Sequence, residues 1–224
     1  MDYELIKLPA NELLDKFGSG GHKPGSGSAA ALLGLVCCKL IQTVVTLSSG
    51  RDEYKGVSSQ LTLANQSISE NLEPKLLSAV QEDSEQFDKV IVLRRQRDAA
   101  ETGSNERRNL ADRALNELRT STEIPLNIAE MCLELAEQAI LIFDIGFKAA
   151  RGDSGVAISS ALSGASGALS VVYLNLTSFK GGQWARDIRA RADEITEKTQ
   201  RLQLELFNRI SRLQDEAAAR ENES

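Results

Sequence analysis

Apolar positions recur along this chain at helical spacing, and no stretch shows the strict alternation of a strand. Leu13, Leu14 and Phe17 mark a short first helix over 9–17, started by Pro9 and stopped by Gly18. A central, nearly all-apolar helix is predicted from Ser28, a good N-cap residue, to about Ser48. From Glu53 to Arg97, residues such as Leu61, Ile68, Leu72, Leu76, Val80, Phe87 and Val90 keep helical spacing, and Pro74 is expected to kink or interrupt the segment. Residues 98–105 are polar and rich in breakers, so they form a loop. Ser104 or Asn105 then caps a helix running to about Lys148, with a kink or break expected at Pro125. Gly152-Asp153-Ser154-Gly155 opens a second apolar helix that reaches Leu176, and Gly181-Gly182 ends it. The last helix spaces Ile188, Ala192, Ile195, Thr199, Leu202, Leu206, Ile210 and Leu213 by fours and threes. The fold class is all-α: a single helical-bundle domain over 1–224 with about six to eight helices. Its core is expected within about 5–200, its last helix to end near 218, and its final residues to be disordered.

Two rows of small residues sharpen this picture. Ala30, Gly34 and Cys38 recur every fourth residue in the central helix, as do Gly155, Ser159, Ser163 and Gly167 in the second apolar helix. Such rows predict that the two helices pack backbone to backbone at the core. The narrow apolar seam of the last helix suits one neighbouring helix or a subunit interface, and a homodimer is expected.

Charge and cysteine usage exclude several classes. The net charge of −6 is spread over interspersed acids and bases, which speaks against a nucleic-acid surface. The basic runs at Arg94-Arg95-Gln96-Arg97, Arg107-Arg108 and Arg186 to Arg191 are expected to be solvated helix faces. Ala29 to Leu47 is just long enough to cross a membrane, but Lys39, Gln42 and Thr43 interrupt it. The start, Met-Asp-Tyr-Glu, lacks a basic and apolar leader, so a soluble cytoplasmic protein without a membrane partner is expected. Three cysteines cannot all pair, and Cys37 and Cys38 adjoin within the apolar stretch. They are expected to be buried thiols in a reducing compartment, with no disulfide and no metal site.

The chemistry concentrates in Gly18 to Ser28, where five glycines, one proline and the only histidine, His22, fall within eleven residues. Neither a helix nor a strand tolerates that composition. A glycine-rich loop that feeds a helix N-terminus leaves N–H groups free for an anion or a polar ligand edge.

Further motifs keep a fixed order around this loop. Pro24-Gly25-Ser26-Gly27-Ser28 runs into Ala29-Ala30-Ala31, Tyr54 follows the central helix, and Asp83 precedes Phe87 by one turn. Arg108 comes next, then Ile124-Pro125-Leu126 with Ile128-Ala129, then Asp153 with Gly155-Val156-Ala157, and last Leu174-Asn175-Leu176. This ordered set, spanning roughly residues 5–200, resembles the cyclodeaminase/cyclohydrolase family of folate one-carbon enzymes. The resemblance implies one of two reactions. N10 of 5-formiminotetrahydrofolate closes a ring with loss of ammonia, or water opens the 5,10-methenyl cation. It also implies that no metal or redox cofactor is needed, and that a tetrahydrofolate derivative is the substrate. Asp153, His22 and Asp83 become the catalytic candidates, as groups that move protons or face a cation. Lys23, Pro24, Gly25, Ser26, Gly27, Ser28, Arg151 and Asn175 become the candidate substrate contacts, with Lys23 and Arg151 facing the carboxylates of the tail. Four positions depart from the family pattern: Ser26 replaces the middle glycine, and Phe147, Gly152 and Val171 stand where the family commonly has Asn, Ser and Asn. They keep a second expectation open, a helical homo-oligomer that has lost the chemistry and binds another ligand or a protein.

Overall fold

A computed structural model describes residues 4–221. Among them there is no strand, and the helices follow the apolar periodicity: α1 Ala10–Gly18, α2 Ser26–Ser48, α3 Ser58–Ser67, α4 Glu73–Ala99, α5 Asn105–Ile145, α6 Arg151–Leu176 and α7 Gln183–Glu221. Short 3₁₀ turns cover Leu5–Lys7, Asp52–Val57 and Lys148–Ala150. The last helix thus continues past 218; residues 222–224, where disorder was expected, lie outside the described residues.

The two prolines act differently. Pro74 falls at the start of α4, directly after a π-turn over Ile68–Leu72 that joins α3 to α4 in helical backbone, so the irregularity lies just before the proline. Pro125 lies inside α5, which runs unbroken for 41 residues. It cannot donate to the carbonyl of Ser121 one turn earlier. Asn175 Nδ2 on α6 supplies that bond instead, at 3.1 Å. A buried carbonyl left without a donor would cost about 1–3 kcal/mol, so this amide keeps α5 helical through its proline.

α5 is the central element and touches α2, α4, α6 and α7. α2 runs antiparallel to α6: Ala30 lies beside Gly164 near one end, and Ser48 Oγ accepts from the N–H of Phe147 at the other. The expected close approach of these helices is therefore present, and Ala30, Gly34 and Cys38 are all buried in it. The row expected on α6 is corrected. Ser159 and Ser163 are exposed, and Gly155 and Gly167 only half-buried; the buried row is Ala157, Ala161, Gly164, Ala165 and Ala168. Both rows recur at helical spacing, so periodicity alone could not choose between them.

A side chain at Gly164 has no room, because its Cβ would stand 2.8 Å from Cys132 Sγ and 2.9 Å from the Ala30 carbonyl oxygen. Gly164→Ala is expected to cost roughly 1–3 kcal/mol and to lower Tm in a thermal melt. Gly167→Ala, whose Cβ would meet only the Ala30 Cβ at an ordinary 3.8 Å, should fall well short of that. Equal melts for the two variants would remove the close approach. Cys37, Cys38 and Cys132 are free buried thiols, and burial pushes the last two up to about 12, so none is a poised nucleophile.

α2 and the segment 148–176 are each long and apolar enough to cross a membrane, yet half of each is buried inside the bundle. The outward half is an uncovered face. Leu33, Val36 and Leu47 expose it on α2, Val156 and Leu174 on α6, with Ser159, Ser163 and Gly167 between them.

Candidate active site at the glycine loop

α2 starts at Ser26 with Gly25 as its cap, three residues earlier than the Ser28 cap expected from the sequence. Gly25 offers no side chain, so the cap comes from another helix. Asp83 of α4 reaches across, and its Oδ2 accepts from the Ser28 N–H at 2.9 Å and from Ser28 Oγ at 3.2 Å. The carboxylate packs against Gly27, where a Cβ would stand only 2.1 Å from Oδ1. That contact explains the glycine of Pro24-Gly25-Ser26-Gly27-Ser28. Ser26, at the departing position, is exposed, so its side chain costs the loop nothing.

Asp83 is only 7% exposed, and no cation pairs with it among the described residues. Burial pushes its carboxyl above the ordinary carboxylate range, and the two Ser28 donors pull it part of the way back. Oδ1 accepts no hydrogen bond among the described residues. Asp83, Ser84 and Gln86 of α4, Ser28 of α2, Ser121 of α5 and Asn175 of α6 make this end of the bundle the place where buried polar side chains gather. The Ser121 hydroxyl there has no hydrogen-bond partner among the described residues.

The rest of the loop is tethered one turn further along α4. His22 Nε2 lies 2.7 Å from Asp88 Oδ1, and Lys23 Nζ donates to Asp88 Oδ2 at 2.6 Å. Bonds from His22 first, then Lys23, hold the Asp88 carboxyl below its usual value. The tether therefore stabilises the fold above the ordinary carboxylate pKa and is lost as pH falls through the depressed one. Lys23 accordingly has its own carboxylate and is not a free cation. Pro24 is buried beneath the loop, and Gly25 is half-buried.

Asp153 and Arg151 lie elsewhere. α6 begins at Arg151 with Ala150 as its cap, so Asp153 stands inside the first turn rather than at the cap. It is half-buried and has no hydrogen-bond or ion-pair partner among the described residues. Arg151 is clamped by Glu216 of α7, at 2.8 and 2.6 Å. Because α2 and α6 are antiparallel, this end lies about 25 Å along α2 from Gly27. Phe147 shapes it: the Arg51 guanidinium stacks 3.9 Å over its ring, and Tyr54 packs edge-on while its hydroxyl accepts from the Lys148 N–H. A Cβ at Gly152 would meet nothing within 4 Å, so the serine of the family pattern would fit there. Val171 is half-buried on α6.

One chain thus brings His22, Lys23, Pro24, Gly25, Ser26, Gly27, Ser28 and Asp83 together and leaves Asp153 and Arg151 at the other end. Asn175 is at the loop end but committed to the Ser121 carbonyl. Sequence reasoning missed Asp88, whose only signal is its place one turn beyond Asp83.

Comparison with known proteins shows the family and the fold. The family model of formiminotransferase-cyclodeaminase matches residues 9–194. A methenyltetrahydrofolate cyclohydrolase of Methylorubrum extorquens is 30% identical over 162 residues, 72% of this chain and 76% of that protein. The crystal structure of a formiminotetrahydrofolate cyclodeaminase from Thermotoga maritima superposes with a TM-score of 0.79 at 17% identity, covering 94% of this chain and 99% of that one, which shows a shared fold. With most of its length matched and the loop–Asp83 contact formed, the chain belongs to the formiminotransferase-cyclodeaminase family.

Proposed function

We propose that this chain is a folate one-carbon enzyme acting at the carbon between N5 and N10 of tetrahydrofolate, as a methenyltetrahydrofolate cyclohydrolase or a formiminotetrahydrofolate cyclodeaminase. One observation carries the reading: a buried carboxylate without a cation among the described residues, Asp83, packs on the glycine loop, and its Oδ1 accepts no hydrogen bond there. Both reactions pass through a carbon bearing amidinium charge, and both need a proton moved. A desolvated carboxylate with a raised pKa can do each, stabilising the cation while charged and taking a proton from water or N10 as the new bond forms. In the cyclohydrolase direction, water adds to the methenyl carbon and one of its protons passes to Asp83. The resulting carbinolamine then collapses, releasing its hydroxyl proton to solvent as the carbonyl forms on N10, while Asp83 gives its proton to N5 as the C–N5 bond breaks. No metal or redox cofactor enters this scheme.

The proposal includes a homodimer. Asp153 has no partner among the described residues of its own chain and lies a helix length from the loop. A second copy docked on the uncovered α2–α6 face in the reversed sense would set Asp153 of each copy beside the glycine loop of the other. The apolar and small residues of that face suit such a contact better than water.

Purified protein mixed with 5,10-methenyltetrahydrofolate should remove its near-ultraviolet absorbance faster than buffer does, or should generate that absorbance from 5-formiminotetrahydrofolate. Failure with both substrates would sink the enzyme reading. The competing reading, a homo-oligomer without chemistry, is favoured by Phe147, whose ring occupies the Asp153 end where the family commonly has an amide.

A further inference from the structure

The bundle carries an arm. Beyond the glycine loop, α4 and α5 continue past α2, joined by Gln86 Nε2 donating to Glu117 Oε2 at 2.7 Å and packed on a small cluster of their own, Leu93, Leu110 and Ala114. Between this arm and the C-terminal end of α6 lies a cavity of about 320 Å³, lined by Arg94 and Arg97 of α4, Ala111, Ala114 and Leu115 of α5, and Ser178. Arg97 is engaged by Asp98, Nε to Oδ1 at 2.9 Å. Arg94 is half-buried and makes no hydrogen bond or direct ion pair among the described residues. A guanidinium offers a planar fork of donors that matches a carboxylate, and here the fork is unfilled.

α4 connects this cavity to the loop. Asp83, Phe87 and Arg94 stand at i, i+4 and i+11, one stripe of the helix, and the outer two are about 16 Å apart along its axis. Phe87 and Ile91 between them are half-buried, yet neither belongs to a packed hydrophobic cluster of the described residues. From the loop outward the stripe offers a carboxylate, an aromatic ring, an aliphatic side chain and a cation. A reduced pterin, its aminobenzoyl spacer and its glutamate present the complementary groups in the same order over a comparable length. The other cations first considered for the tail, Lys23 and Arg151, are held by Asp88 and Glu216.

Resting on the folate reading above, we infer that Arg94, backed by Arg97, receives the glutamate carboxylates of the substrate. The test compares tetrahydrofolate with tetrahydropteroate, which lacks the glutamate, by titration calorimetry on the full chain. Wild type should bind tetrahydrofolate about tenfold more tightly or better, and added salt should shrink the preference. Arg94→Gln should erase the preference while leaving tetrahydropteroate affinity and the thermal melt unchanged. Arg94→Lys, which keeps the charge without the fork, should retain part of it and serves if the glutamine variant does not fold. Equal affinities in wild type, or a full preference in both variants, would overturn the assignment and leave the folate reading standing. Binding of neither compound would remove the folate reading, and the assignment with it.

Discussion

Asp83→Asn is expected to leave the protein folded and to lower turnover about 10²-fold or more. The amide oxygen can still accept from the Ser28 N–H and Oγ, so the cap of α2 survives, while the charge and the exchangeable proton are gone. The stability signature has a definite sign. Burial raises the Asp83 carboxyl in the folded state, so wild type is more stable below the ordinary carboxylate pKa and loses that increment as pH rises through the raised value. The Asn variant cannot ionise there. Its melting temperature at pH 8 should equal or exceed that of wild type, and its dependence on pH should be flatter. Asp83→Ala is a different experiment, since it leaves both Ser28 donors buried without an acceptor and should cost about 1–3 kcal/mol. An Asn variant with undiminished turnover would confine Asp83 to capping.

Mixing two dead variants should restore activity. If each active site takes Asp83 from one copy and Asp153 from the other, Asp83→Asn and Asp153→Asn are each inactive as homodimers. A mixed dimer then holds one site with both carboxylates intact and one with neither. After coexpression at equal levels, half the dimers are mixed, and activity should return to about a quarter of wild type in the spectroscopic assay. Asp153 is not the cap of α6, so its replacement by Asn removes charge from the first helical turn at a stability cost of only about 0.3–1 kcal/mol. Mixed dimers that form and stay inactive would place both carboxylates' work within one chain, or remove Asp153 from the site.

What was legible in the sequence was local. Helical periodicity and the glycine breaks defined the elements, and the ordered motifs pointed to the family that the whole-chain comparison then matched. The unread part concerns partners that only the fold creates. The spacing of Asp83 from Phe87 says nothing of its landing on Gly27, because that contact joins α4 to α2. Likewise Asn175 looked like a ligand contact, and its role follows from Pro125, fifty residues away, which frees a carbonyl that only α6 can reach. The two small-residue rows of α6 are equivalent in spacing, and burial alone separates them: Gly164 is enclosed by α2 and α5, Gly155 by nothing.

The arm has one more consequence, for motion. Its helices are joined by few buried side chains, while the bundle below them shares one extended core. Segments with so little buried area open as cooperative units at a free energy well below that of global unfolding. The arm is expected to be such a unit, over the part of α4 and α5 that lies beyond the His22 and Lys23 bonds to Asp88. One wall of the arginine-lined cavity is therefore expected to open more readily than the loop end, which Asp83 and Asp88 hold. A ligand spanning both would bear the entropy of quieting the arm, and its affinity would record how closed the arm already was.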